Sequence, residues 1–247
     1  MAQWIWRGLV TGITTTRYPD RSETSPGISP GLPSGGLLSG AEARAAADIC
    51  PTGALSASGG RLAVDQRRCV HCFRCARALQ APAAWGDGYE WSSLASEAST
   101  LGPSFEHSIH VLVVDAGDCG ACLNEARQLT GPYYNIHRLG FFITPTPRQA
   151  DVLLVVGPVT DHMRLPLEKA FDAMPGPKRV IAAGACALSS SVFGPSFVCG
   201  SGVNDVLPVD VEVPGHPPPP LAMIHALLVV AGRRPPASLL PVEVAPP

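Results

Sequence analysis

From residue 110 onward, short unbroken apolar runs alternate with stretches of helical spacing. Residues 110–115 and 152–156 are rich in β-branched residues, too short for a helix, and followed by glycine turns, so each is predicted to be a strand buried on both faces. Residues 179–182 repeat the pattern ahead of Gly184-Ala185-Cys186, and 141–143 and 209–213 offer two further strands. Helical stretches lie between them at 122–129, which stops at Gly131-Pro132, and at 163–174. A closing helix is predicted over 219–230, apolar on every side, with Pro218 and Pro219 suited to its first turn. Buried strands alternating with helices imply a parallel sheet covered on both faces. The fold class expected for residues 108–232 is therefore α/β, a flavodoxin-like doubly wound sheet.

The first 107 residues are patterned differently. Over 1–18, Trp4, Ile5, Leu9, Val10 and Ile13 approach helical spacing with Arg7 opposite, which predicts an amphipathic helix. Tyr18-Pro19 ends it, because the residue before proline is pushed out of the helical region. Its apolar face either packs on the protein or lies at an interface, and two tryptophans favour the interface. Residues 19–40, rich in Pro, Gly and Ser, read as an extended linker. Residues 41–82 form a small α+β module, with a helix former at 41–47 and a strand candidate at 62–64 beside Gly59-Gly60. Residues 83–107 read as an irregular linker whose Trp85, Tyr89 and Trp91 cover a domain interface, and 233–247 as a proline-rich tail.

Composition narrows the class. At 247 residues and 46% hydrophobic content there is enough chain for a sizeable core, while 26 Pro and 25 Gly call for plentiful loops. A formal charge of -2 argues against a nucleic-acid partner. The start lacks the apolar core and cleavage site of a secretory signal, and no stretch approaches the roughly 18 apolar residues of a membrane span. The expected location is cytoplasmic, where eight cysteines are better metal ligands than disulfide partners.

Their spacing gives the chemistry. Cys50-Pro51 precedes Cys69-x-x-Cys72-x-x-Cys75. Three cysteines so spaced hold three corners of a cubane, and a distant Cys-Pro binds the fourth iron, so one 4Fe-4S cluster is expected on Cys50, Cys69, Cys72 and Cys75. Zinc is the alternative, disfavoured because structural zinc sites use paired C-x-x-C knuckles. Ligands for a second ferredoxin cluster are missing: no C-x-x-C-x-x-C precedes Cys50, and residues 79–82 carry no cysteine. Cys119, Cys122 and Cys186 instead follow strands of the α/β domain, at the carboxyl ends where open sheets bind ligands. Three cysteines there leave a fourth ligand to be found. His71, His107, His110 and His137 are given no role.

Four segments then carry a resemblance: DCGACLNEARQL at 118–129, TPRQADVLLVVGPVT at 146–160, KRVIAAGACA at 178–187 and PVDVEVPGHPPPP at 208–220. Together they resemble the small subunit of energy-converting, membrane-bound nickel-iron hydrogenases, the group of formate hydrogenlyase. That subunit is homologous to the 20-kDa iron-sulfur subunit of complex I. The resemblance implies a proximal 4Fe-4S cluster on Cys119, Cys122, Cys186 and the cysteine of a Pro-Gly-Cys-Pro-Pro turn, where this chain has His216. Three outcomes stay open: His216 binds the fourth iron through a ring nitrogen, as in Rieske centres; Cys199 supplies the ligand; or the cluster has three irons or is absent. Glu125 matches an acidic residue of the family, either on a proton route or on a solvated helix face, and Arg148 and Asp151 match positions that fix loops by ion pairing. The N-terminal part, with RGLVTGITTTRYP and the ferredoxin cysteines, resembles the ferredoxin-like 23-kDa subunit with one cluster lost. Two neighbouring subunits are thus read as fused.

The function implied is that of an iron-sulfur electron-transfer subunit, itself non-catalytic, of a complex I-like or group 4 nickel-iron hydrogenase-like oxidoreductase. Its expected partners are the large catalytic subunit of hydrogenase, or the 49-kDa type of complex I, and membrane-arm subunits. These would hold it on the inner face of the cell membrane. The alternative is a scaffold subunit that has lost its proximal cluster.

Overall fold

An apolar run such as 152–156 is stable as a strand only where both of its faces are covered, and all five of its residues are buried. The structure, a computed structural model, describes residues 3–34, 36–58, 61–77, 85–95 and 100–237. Outside the described residues lie the start of the expected N-terminal helix (1–2), the glycine pair at 59–60, the end of the ferredoxin-like module and start of its linker (78–84), linker residues 96–99, and the proline-rich tail from 238.

In chain order the N-terminal part holds α1 (Gln3–Thr11), β1 (Leu32–Pro33), β2 (Gly36–Leu37), α2 (Gly40–Ile49), β3 (Leu55–Ser58), β4 (Arg61–Val64), α3 (Arg74–Arg77), β5 (Trp85–Gly86) and β6 (Ser93–Leu94). The C-terminal part holds β7 (Ile109–Asp115), α4 (Ala121–Gln128), β8 (Phe141–Ile143), β9 (Val152–Val156), α5 (Asp161–Ala173), β10 (Arg179–Ala183), α6 (Ala185–Ser189), β11 (Val211–Val213) and α7 (Pro220–Val230).

The main sheet runs β6-β11-β10-β9-β7-β8, with parallel pairing throughout except for β6 against β11. Counting the parallel strands in chain order gives 2-1-3-4-5, the flavodoxin-like order, whose switch point lies between β7 and β9. Alternating side chains divide the core into two layers. Val152, Leu154, Val156, Ile181 and Ala183 pack with Ala126 of α4 and Leu221 of α7. Leu153, Val155, Val180 and Ala182 pack with Leu167 of α5 and Ala187 of α6 on the other side.

The segment expected to be an irregular linker completes this architecture. β6 extends the main sheet, β5 pairs with β1, and residues 91–92 cover α7. The Trp91 indole N–H donates to the Pro214 carbonyl at 2.8 Å, and the Ser92 hydroxyl to the Ala222 carbonyl at 2.9 Å. Two-residue strands are too short to leave a periodicity in the sequence, which is why this stretch reads as irregular. The same cover accounts for the burial of α7 along its whole length.

The small module is an antiparallel β2-β4-β3 sheet with α2 against it, the helix approaching closely through Ala43 and Ala46. Ser39 and Glu42 form a reciprocal capping box that fixes where α2 begins. Residues 12–34 run over the α/β domain: the Thr16 N–H donates to the Tyr133 carbonyl at 2.8 Å, and the buried Tyr18 donates its hydroxyl to Glu90 at 2.8 Å. By contrast α1 buries no residue, and Trp4, Trp6, Leu9 and Val10 stand exposed, as does Ile13 beyond it. Among the described residues no helix is long and apolar enough to cross a membrane.

Candidate metal centres

The first cysteine group is assembled from three short pieces. Cys50 caps the end of α2, Cys69 follows a single helical turn at Gln66–Arg68, and Cys75 lies in α3. Between them the loop curls through left-handed backbone at His71 (φ 50°) and Phe73 (φ 58°). All four cysteines line one cavity, with Phe73 and Trp85 in its wall stacked at 4.4 Å. Burial pushes the Cys69 thiol up to about 12, and the nearby Cys75, Cys50 and Cys72 raise it further by like charge. Such a thiol keeps its proton until a metal displaces it. The Ala54 N–H donates to Cys50 Sγ at 3.2 Å, a contact that stabilises a bound thiolate. Four thiols with no carboxylate around an apolar cavity suit a soft, thiophilic centre, and this donor set fits a 4Fe-4S cluster.

The second group stands at the sheet's switch point. Asp115 ends β7 and accepts from the N–H groups of Gly117 (2.9 Å) and Asp118 (2.7 Å), which turns the chain sharply into the C-x-x-C loop. Asp118 accepts from the Leu123 N–H at 3.0 Å at the start of α4, while its other oxygen is buried without a hydrogen-bond partner. Cys119 is exposed on the rim; Cys122 and Cys186, in α4 and α6, are buried. Gly184, at φ +101°, lets the two loops meet: a Cβ there would stand 2.7 Å from Cys122 Sγ. The Pro-Gly-His-Pro turn follows β11 and brings His216 Nδ1 to 4.0 Å from Cys186 Sγ.

Electrostatics report the same grouping. Burial raises the Cys122 thiol, with Asp118, Cys186 and Cys119 adding to it. It pushes Cys186 up to about 11, helped first by Cys119 and then by Asp118. Burial lowers His216, so the ring is held neutral, the form in which a histidine binds metal. Cys199 is buried nearby, where its thiol donates to the Gly194 carbonyl at 3.5 Å and adds to the shift of Cys186. Three thiols and an imidazole are a donor set that an iron-sulfur cluster can use, and Cys199 is satisfied locally. Glu125, on α4, has its carboxyl raised by burial. Among the described residues no three His, Cys, Asp or Glu side chains stand close enough to hold a single metal ion.

The two groups adjoin. Arg67, in the turn before Cys69, donates through Nε to Glu212 of β11 at 2.7 Å, and the Ser189 hydroxyl of α6 donates to the Arg67 carbonyl at 3.2 Å. His71 is pushed down to about 4 by burial and then by His216. Sequence reasoning gave no part to Arg67, Glu212 or His71. A signal was present, since a glutamate inside an apolar strand needs a buried partner, and His71 stands inside the ligand motif itself. Asp151, expected in an ion pair, accepts from the His110 backbone N–H at 2.8 Å and stands 3.6 Å from the Nδ1 of that ring, which pairs with it when protonated.

The model of the family described as NADH ubiquinone oxidoreductase, 20 Kd subunit, matches residues 119–230. The chain is 44% identical over 128 residues to an uncharacterized protein of Methanocaldococcus jannaschii, covering 52% of this chain and 86% of that one. It is 38% identical over 136 residues to the probable membrane-bound hydrogenase subunit mbhJ of Pyrococcus furiosus, covering 55% and 80%. To formate hydrogenlyase subunit 7 of Escherichia coli it is 36% identical over 140 residues, covering 57% of this chain and 55% of that one, so it spans about half of that protein. Among solved structures, a chain of the membrane-bound sulfane sulfur reductase, an archaeal respiratory membrane complex, is 25% identical with a TM-score of 0.47, covering 52% and 71%.

Proposed function

Since the chain belongs to the family of the 20-kDa subunit of NADH ubiquinone oxidoreductase and its hydrogenase relatives, we propose that it relays electrons between two iron-sulfur clusters within such a complex. Cys50, Cys69, Cys72 and Cys75 hold a ferredoxin-type 4Fe-4S cluster, and Cys119, Cys122, Cys186 and His216 hold a proximal one. When bound, such clusters accept and release single electrons at potentials set by ligand type, burial and hydrogen bonds. The chain's residues do the rest. Phe73 and Trp85 wall the first site, Ala54 donates to its sulfur, and the Arg67–Glu212 pair keeps the two ligand sets in register. The observation that carries the reading is this adjacency: α6, which bears Cys186, packs on the turn that leads into Cys69.

The exposed rim at Cys119 is where the large catalytic subunit, of hydrogenase or 49-kDa type, would dock, and bond-making chemistry belongs to that partner. Glu125, its carboxyl raised by burial, is suited to hold a proton beside that partner. The exposed apolar face of α1 is suited to a membrane-arm subunit or the membrane surface, which makes the protein peripheral on the inner face of the cell membrane.

The test is electron paramagnetic resonance on the anaerobically purified chain, reduced stepwise. Two centres with mutual spin broadening are expected, and two centres without it would sink the relay. His216→Cys should lower the potential of the proximal centre, because histidine ligation raises it. An unchanged proximal signal would exclude His216 as a ligand.

A further inference from the structure

A tryptophan carries one polar side-chain group, the indole N–H, which can only donate, and burying a donor without an acceptor costs free energy. Trp85 has such a group. Its side chain lies in the wall of the four-thiol cavity, together with Cys50, Cys69, Cys72 and Cys75. Its Nε1 is buried with no hydrogen-bond partner among the described residues. The Thr52 hydroxyl in the same wall is spent on the Arg68 carbonyl at 2.7 Å, so the indole stands out as a donor left over.

The ring is firmly held. Phe73 stacks on it at 4.4 Å with 21° between the planes, and its backbone in β5 pairs with Pro33 of β1. It also packs on the small core of Ala46, Leu55, Leu62 and Val64. A leftover donor fixed in the wall of a cavity points to an acceptor that belongs to the cavity's occupant. Burial raises the Cys75 thiol and the Trp85 side chain works against that rise, which agrees with an N–H turned toward sulfur.

We propose that the Trp85 indole N–H donates a hydrogen bond to a sulfur atom of the ferredoxin-type centre and so raises its potential. The proposal rests on the reading that Cys50, Cys69, Cys72 and Cys75 hold an iron-sulfur cluster. Hydrogen bonds to the sulfurs are among the factors that set a cluster's potential. The reduced form carries one electron more, so a donor stabilises it over the oxidised form. Trp85 thereby gains a role that sequence reasoning, which read it as cover for a domain interface, did not give it.

The experiment compares the parent with Trp85→Phe, both as full chains purified anaerobically, by redox titration and by electron-nuclear double resonance in light and heavy water. Phenylalanine keeps an aromatic face for Phe73 and removes the N–H. The ferredoxin-type centre should titrate at a lower potential and lose an exchangeable proton coupling, while the proximal centre keeps its potential. An unchanged potential, or a lowered potential with every exchangeable coupling retained, would overturn the proposal. Replacing Trp85 by its benzothiophene analogue, which keeps the size of the ring system and lacks only the N–H, repeats the comparison if the phenylalanine variant does not fold. A parental potential in the analogue would assign the effect to packing and equally overturn the proposal. The underlying reading fails on the parent alone: a colourless chain with zinc on the four thiols and no ferredoxin-type signal holds no cluster there, and the proposal falls with it.

Discussion

Arg67 Nε lies 2.7 Å from Glu212 Oε2, and this one contact ties the turn before Cys69 to the strand that leads into His216. The pair is lopsided: the glutamate side chain is 9% exposed and the arginine 47%.

That asymmetry makes the two halves of the pair unequal under mutation. Arg67→Ala leaves a buried carboxylate without its partner and should destabilise the chain by about 1–3 kcal/mol. Glu212→Gln leaves an arginine free to turn to water and should cost about 1 kcal/mol or less. Urea unfolding midpoints measure both, and a Glu212→Gln effect as large as that of Arg67→Ala would contradict this picture.

Gly184 is a point of close approach between the two loops of the proximal site. Alanine there would adopt φ +101° and place its Cβ 2.7 Å from Cys122 Sγ. Left-handed strain of this kind costs on the order of 1–3 kcal/mol. Gly184→Ala should lose the proximal signal and keep the ferredoxin-type one. Retention of both at parental intensity would show that the site does not need this contact.

Glu125 makes stability depend on pH. Burial raises its carboxyl, so the folded chain still holds a proton at pH values where the unfolded chain, titrating near about 4.3, has released it. The protonated form therefore supports folding below that unfolded value, and the support is lost as pH rises toward the raised folded value. Glu125→Gln should flatten this part of the stability curve and be at least as stable as the parent at neutral pH. Superimposable curves would mean that the carboxylate is fully hydrated.

Because α1 buries nothing, replacing both Trp4 and Trp6 by serine should change the unfolding free energy by less than about 0.5 kcal/mol. The same variant should sediment less with lipid vesicles. A large fall in stability with unchanged vesicle binding would assign the helix to internal packing.

The doubly wound sheet was legible because its central strands are buried on both faces: 152–156 and 179–182 contain no polar residue after Arg179 to confuse the pattern. Cys50, Cys69, Cys72 and Cys75 were legible as a group because the C-x-x-C-x-x-C spacing gathers three thiols in one loop, and all four line one cavity. Residues 85–94 were not, since strands of two residues carry no period and are held by partners far off in sequence, Leu32 for Gly86 and Val211 for Leu94. Nor was the pairing of Arg67 with Glu212, which depends on how two modules dock; the spacing of 145 residues between them says nothing about it.

The most direct test is to count iron and acid-labile sulfide per chain after anaerobic purification. Two cubanes, one on Cys50, Cys69, Cys72 and Cys75 and one on Cys119, Cys122, Cys186 and His216, should give about eight of each, with two resonance signals on reduction. About four of each, unchanged by His216→Ala, would contradict the two-cluster relay and leave a scaffold with a single ferredoxin-type centre.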